Sequence, residues 1–402
     1  MSEMKPNKDS TTWCPLPWVH SHSSAIGTFK PCCNAEGRDN PTSIRNSDYD
    51  LTSWFEGPEM QQLRSDLNNG VKNTRCGRCW RTEEKAGTSI RTSMQKKFDS
   101  IVEHTPRIQY LDLKLTNQCN LRCRMCSPSD SNLIGEERDA LLNKQIPPPS
   151  NYAHLNDTTL VSMKQELQQD VYTILEQGVS VLKFTGGEPL VQKQVLDILH
   201  YIVDKDYAKD IRLQLTTNAT KFSRKFMELF DEFNKVHLNI SVDGIGPTYE
   251  YIRYPYRWDN FNDRIRLLES VTRGKYNISY DFTCVPQLFN IENLGRLQSR
   301  LGANKLYMNN ILHPDDNYNS LKMVPRHILE TALKDIEYCT GSNILINSIK
   351  SLLANYSPPT VEQLKTMVKS IQVLDRHRKQ HYKDYLEPHT RDFITESIRK
   401  VS

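Results

Sequence analysis

Three cysteines carry the most telling chemistry in this chain. Cys119, Cys123 and Cys126 read CNLRCRMC, a C-x3-C-x2-C triplet among ten cysteines in 402 residues. At that cysteine frequency the spacing would arise by chance about 0.006 times along the chain. Three closely spaced thiolates can hold three irons of a 4Fe-4S cluster and leave the fourth iron open to a substrate. A structural zinc site or a closed electron-transfer cluster wants a fourth cysteine or histidine close by. The following SPSDSNLIGEERDALLNKQ offers neither, so ligand count favours the open cluster over zinc.

A second set lies upstream: Cys14 opens CPLPW, Cys32 closes GTFKPC, and Cys76 with Cys79 form CGRCW. Two cysteines two residues apart plus two distant ones can complete a four-thiolate site, and spacing alone admits tetrahedral zinc as well as an iron-sulfur cluster. Cys33 competes with Cys32 for the third place. Cys284 and Cys339 stand alone and read as inert buried thiols. His20 and His22 read as loop residues. His377 and His381 would share a helix face, but Arg378 and Lys379 lie between them and no metalloprotease glutamate accompanies them, which favours a solvated face.

Composition narrows the class. Charged residues make up 25% and hydrophobic residues 37%, which excludes a collagenous, coiled-coil or wholly disordered chain. No run approaches the roughly 18 apolar residues of a membrane span, and the polar start MSEMKPNKDSTTW lacks a signal-type apolar run. A cytoplasmic protein is expected, and in a reducing compartment clustered cysteines bind metal or do chemistry rather than form disulfides. The net charge of +4 falls short of a strongly basic nucleic-acid binder.

The elements that must position these groups follow from periodicity. Six short β-type runs, at 108–115, 181–184, 211–216, 236–242, 278–285 and 305–312, alternate with amphipathic helical stretches such as 191–203, the pattern of an α/β fold with a parallel sheet and crossover helices. Strand alternation puts Val236, Leu238, Ile240 and Val242 on one face and His237, Asn239, Ser241 and Asp243 on the other. In the same way Gln214, Thr216 and Asn218 oppose Leu213 and Leu215. The triplet, GGEP, TTNAT and SVDG all fall at C-terminal strand ends, where catalytic groups of barrels collect. Residues 127–157 read as a long loop. Beyond 318 the chain reads as helical, with a capping box at Thr360 and Gln363 and a stripe of Val361, Leu364, Met367, Val368, Ile371 and Leu374.

CNLRCRMC together with TGGEPL at 185–190 resembles the radical S-adenosylmethionine (SAM) superfamily, in which SAM chelates the open iron. The resemblance implies a partial (β/α)6 barrel over residues 105–318, with a 4Fe-4S cluster on Cys119, Cys123 and Cys126. It implies SAM contacts from Gly186, Gly187 and Glu188 at the amino group, and from Ser241, Thr217 and Asn218 around the ribose and carboxylate. Met125 stands where the family usually has an aromatic residue near the adenine. Arg253 in YIRYPYRW matches an arginine that pairs the SAM carboxylate, with plain packing and substrate contact as the other readings. Residues 1–104 look like the twitch module, a half-size relative of the SPASM domain, here before the barrel rather than after it. That likeness implies an auxiliary 4Fe-4S cluster on Cys14, Cys32, Cys76 and Cys79, with the G-x4-C element from Gly27 selecting Cys32 over Cys33. Residues 319–402 form the helical extension.

The implied activity is reductive cleavage of SAM to a 5′-deoxyadenosyl radical that takes a hydrogen atom from a peptide or protein substrate. A small metabolite is the second substrate reading, and a flavodoxin or ferredoxin the implied low-potential electron donor. A non-catalytic zinc protein that binds a partner or nucleic acid is the rival from another class. No residue is assigned as general base.

Overall fold

A computed structural model describes residues 5–24, 28–36, 51–103, 105–152, 165–302, 306–308, 318–339 and 343–401. Eight strands occur among them: β1 (His20–Ser23), β2 (Phe29–Lys30), β3 (Tyr110–Leu113), β4 (Val181–Phe184), β5 (Arg212–Thr217), β6 (Lys235–Ser241), β7 (Ile278–Cys284) and β8 (Leu306–Met308). The helices used below are α1 (Gly77–Ala86), α2 (Asn132–Asn143), α3 (Lys193–Asp204), α4 (Pro247–Ile252), α5 (Val361–Arg378) and α6 (Pro388–Val401). The six strands expected from periodicity are β3 to β8. The expected continuation of the last one to residue 312 lies outside the described residues.

The chain divides into two compact units: residues 1–116, 159–215 and 227–236 in one, and residues 117–158, 216–226 and 237–402 in the other. In the first, β3 pairs in parallel with β4, and β4 with β5, in direct register. Leu111, Leu113, Leu182, Phe184, Leu213 and Leu215 are fully buried, and Val195, Ile198, Leu199 and Ile202 form the buried stripe of α3. Crossover helices cover parallel strands, so such strands read as apolar runs.

β1 corrects the expectation that His20 and His22 lie in a loop. HSHS has no strand-forming residues, yet β1 pairs in parallel with β3 and in antiparallel fashion with β2, and all four residues are buried. Tertiary pairing here overrides intrinsic propensity. It also ties the cysteine-rich N-terminal segment to the first unit's sheet.

In the second unit, Leu238, Ile240 and Val242 are fully buried while His237, Asn239 and Ser241 are half-buried, as alternation requires. The Val242 amide donates to the Thr283 carbonyl, and β7 pairs in parallel with β8. Helix α5 starts at the expected capping box, with Thr360 and Gln363 bonding each other's backbone amides. Its stripe is buried except at Val361, which is 50% exposed in the first turn.

Residues 127–157 are not a loop throughout, because α2 occupies 132–143. Its sequence is weakly amphipathic and contains Gly135. What holds it is Glu137, which accepts Arg378 Nε at 3.0 Å and Nη2 at 2.7 Å, a bidentate pair with both side chains essentially buried. Cys284 is buried as expected. Cys339 is only half-buried and sits 3.2 Å from Ser299 Oγ. No helix among the described residues is long and apolar enough to cross a membrane.

Candidate functional site

The cysteine triplet lies in an irregular segment between β3 and α2, and backbone bonds within the second unit hold its shape. The Arg122 and Arg124 amides donate to the Tyr254 and Ile252 carbonyls at 2.7 and 2.9 Å, and the Cys126 amide to the Cys123 carbonyl at 3.1 Å. Asn132 Oδ1 accepts the Cys119 amide at 2.9 Å, and Asn151 Nδ2 donates to the Cys126 carbonyl at 2.7 Å. Between the second and third cysteines, Arg124 is fully buried. Its Nη2 donates to Asp375 Oδ1 at 2.6 Å and to Gln380 Oε1 at 3.1 Å, its Nε donates to the Tyr251 carbonyl at 2.9 Å, and its guanidinium lies 3.5 Å above the Tyr251 ring. A buried charge needs such pairing to offset lost hydration. Sequence reasoning missed Arg124, and no local signal marks a partner 251 residues away.

Around the thiols, Arg253 Nη1 lies 4.0 Å from Cys123 Sγ, and Arg253 Nη2 pairs with Asp243 Oδ2 at 2.7 Å. Arg253 Nε is buried with no partner among the described residues. Burial works against this guanidinium's charge, but Asp243 and then Cys123 hold it protonated. A hydrogen bond with Cys126 and the nearby Arg253 bring the Cys123 thiol below its ordinary value despite burial. The same hydrogen bond, added to burial, pushes Cys126 up. Asn218 Nδ2 stands 4.0 Å from Cys119 Sγ and donates to Asn120 Oδ1 at 3.0 Å. Thr217 Oγ1 accepts the Ala219 amide at 3.0 Å. Ser241, at the end of β6, and Met125 are half-buried.

Arg253 thus stands beside Cys123 and Asn218 beside Cys119, on a loop whose backbone is held by bonds within the second unit. Among the described residues no three His, Cys, Asp or Glu side chains converge on one ion. The donor chemistry fits a cluster, which gives each thiolate its own iron, beside a cation that offsets thiolate charge.

The GGEP turn follows β4 in the first unit. Gly186 and Gly187 have φ of 72° and 50°, the left-handed region that favours glycine, and a Cβ at Gly186 would collide with the methylenes of Lys114. Glu188 is fully buried and accepts the Leu190 amide at 3.1 Å. Gln192 Nε2 donates to the Gly186 carbonyl at 3.1 Å.

The N-terminal cysteines also belong to the first unit. Cys14 and Cys79 are buried, Cys32 and Cys76 half-buried, and Cys33 exposed. Burial and then Cys79 push the Cys76 thiol up to about 12. Cys14 is raised by burial and by its neighbours Cys76 and Cys79, and Cys32 by burial, Cys33, Cys14 and Cys76. Cys14, Cys32 and Cys76 are thus raised by burial and by neighbouring thiols, a penalty that the charge of a bound metal would reverse. The strongest charged neighbours of Cys33 are instead Lys183 and Asp112. Gly27, which selected Cys32 in the sequence, lies outside the described residues. Asp112 is itself a buried carboxylate, paired with Lys183 Nζ at 2.9 Å and 3.4 Å from His22 Nδ1. A lone charge inside each of the apolar strands YLDL and VLKF was the available signal for that pair.

Residues 113–296 match the family model described as the radical SAM superfamily. The chain carries a radical SAM domain. That domain belongs to a superfamily of enzymes, and its α/β class, with a mostly parallel sheet and a helical C-terminal region, is the one observed. The radical SAM domain contains the cysteine triplet, Met125, Gly186, Gly187, Glu188, Thr217, Asn218, Ser241 and Arg253, while Cys14, Cys32, Cys76 and Cys79 lie before it. The chain is similar to the GTP 3′,8-cyclase of Peptoclostridium acidaminophilum, 33% identical over 147 residues that cover 36% of this chain and 38% of that one. It is also similar to the GTP 3′,8-cyclase of Syntrophomonas wolfei, 31% identical over 152 residues, 37% and 39% of the two chains. The match thus spans less than half the length of these curated relatives. Among solved structures, anSMEcpe with bound AdoMet overlays at a TM-score of 0.39 with 16% identity, covering 63% of this chain and 61% of that one.

Proposed function

We propose that the chain is a radical SAM enzyme whose Cys119, Cys123 and Cys126 hold a 4Fe-4S cluster. The observation that carries this reading is the triplet itself, held by backbone bonds with Arg253 and Asn218 each 4.0 Å from a cysteine sulfur. A cluster held there would supply the electron for reductive cleavage of SAM, and with it the radical chemistry that removes a hydrogen atom from a substrate. The chain's own residues bind and orient. Arg253 offers its unpartnered buried Nε as a donor for the SAM carboxylate. Gly186, Gly187 and Glu188 receive the amino group, Thr217, Asn218 and Ser241 line the ribose side, and Met125 gives an apolar contact to the adenine. Cys14, Cys32, Cys76 and Cys79 would hold an auxiliary 4Fe-4S cluster for electron transfer or substrate binding, in a twitch-like segment over 1–104 before a barrel over 105–318 and a helical region over 319–402.

A peptide or protein substrate is the first reading, because the N-terminal cysteine segment resembles a module of peptide-modifying enzymes. A small metabolite is the second, favoured by relatives named GTP 3′,8-cyclase. A reducing cytoplasm is the compartment that suits such thiol-rich sites. Iron and acid-labile sulfide analysis of anaerobically purified protein tests the reading: about eight irons per chain support two clusters, and about four support one. Near-zero sulfide with stoichiometric zinc overturns it in favour of a zinc protein.

A further inference from the structure

The outer face of α5 is cationic, and its underside touches the cysteine loop. Lys369, Gln372, Arg376 and Lys379 recur at helical spacing and are all exposed. Two grooves flank this stripe within the second unit. One, of about 600 Å³, is lined by Arg376, Lys383 and Arg399, with Asp375 and Gln380 also in its lining. The other, of about 430 Å³, is lined by Lys144, Lys369, Arg376 and Lys379 beside apolar Leu141, Ile146 and Val373. These six cations form no ion pair with another described residue. The carboxylate of the larger groove, Asp375, is already committed to Arg124, to Tyr251 Oη at 2.9 Å and to the Tyr382 amide at 2.8 Å. The surface therefore presents an uncompensated positive field.

Its position gives the field a use. Asp375 and Gln380 both accept hydrogen bonds from Arg124, whose backbone directly follows Cys123. One side chain spans the distance from the groove lining to the cysteine loop. We propose that this face is the docking surface for an acidic one-electron carrier protein that reduces the cluster. The inference rests on reading the triplet as a cluster site. The carrier loses one electron and the cluster gains one, with no bond made or broken. Opposed charge would steer encounter and set orientation, and the apolar lining would supply contact area. A protein partner suits the surface better than nucleic acid, because among the described lining residues of the two grooves there is no Phe or Trp, Tyr382 is buried and the His381 ring is stacked on it.

The test compares holoprotein with a Lys369→Glu/Arg376→Glu/Lys383→Glu variant, using a bacterial flavodoxin as probe. Flavodoxin binding should weaken by about tenfold or more at low salt, and the gap should shrink as ionic strength rises. SAM cleavage driven by reduced flavodoxin should fall, while cleavage driven by dithionite should match wild type. Equal flavodoxin affinity in the two proteins, no measurable affinity in either, or a charge-dependent affinity for nucleic acid alone would each overturn the proposal. Absence of dithionite-driven cleavage in the wild type would instead remove the radical SAM reading, and the binding titration would still judge the surface.

Discussion

Arg253 sets one end of its guanidinium 2.7 Å from Asp243 Oδ2 and another 4.0 Å from Cys123 Sγ. Asp243 is fully buried and the Arg253 side chain is 8% exposed, so each charge depends on the other. Arg253→Gln should leave the carboxylate unpaired and cost about 3–5 kcal/mol of stability. Adding Asp243→Asn should restore most of that stability. SAM cleavage should stay at least about a hundredfold low in both, because the donor beside the cysteine is still missing. Urea unfolding and 5′-deoxyadenosine yield separate the two effects, and full cleavage by the double variant would argue against a role for Arg253 at SAM.

The two cysteine sets should fail differently. Cys123→Ala should abolish SAM cleavage and remove about four irons per chain, whereas Cys76→Ala should lose a similar amount of iron and keep uncoupled SAM cleavage without substrate turnover. Iron content with 5′-deoxyadenosine formation reads both. Unimpaired cleavage by Cys123→Ala would contradict the assignment.

Adjacent Cys32 and Cys33 face different surroundings, the first near Cys14 and Cys76, the second near Lys183 and Asp112. Cys32→Ser should therefore lower the iron content to about four per chain, while Cys33→Ser should leave it at about eight. Electron paramagnetic resonance of the reduced proteins gives an independent count of clusters, and the reverse pattern would exchange the two ligands.

His20 should make stability depend on pH. Burial lowers its pKa to about 4, and its Nδ1 sits 2.8 Å from the Pro31 carbonyl oxygen. On acidification the unfolded chain binds the proton first, near the ordinary histidine value of about 6.5. The stability contributed by neutral His20 is whole above that value, falls as the pH drops toward 4, and levels off below. The loss approaches about 3 kcal/mol. His20→Gln should flatten this part of the profile in urea midpoints taken from about pH 7 to 4.5, and an unchanged slope would exclude His20 as its source.

The triplet, the glycine turn and six strands were legible in the sequence because each depends on residues close along the chain. Three thiolates on one loop need only the right spacing, a positive-φ turn needs glycine, and a buried strand shows its period. Strand β1 and helix α2 were not legible, since HSHS and NLIGEERDALLN hold their shapes through partners far away: β3 for the first, Arg378 for the second. Only the tertiary structure decided which charges meet, pairing Arg124 with Asp375, Arg253 with Asp243 and Lys183 with Asp112. A chemical group's reactivity is local, but the stabilisation of a buried charge depends on whichever opposite charge the fold brings within a few ångströms.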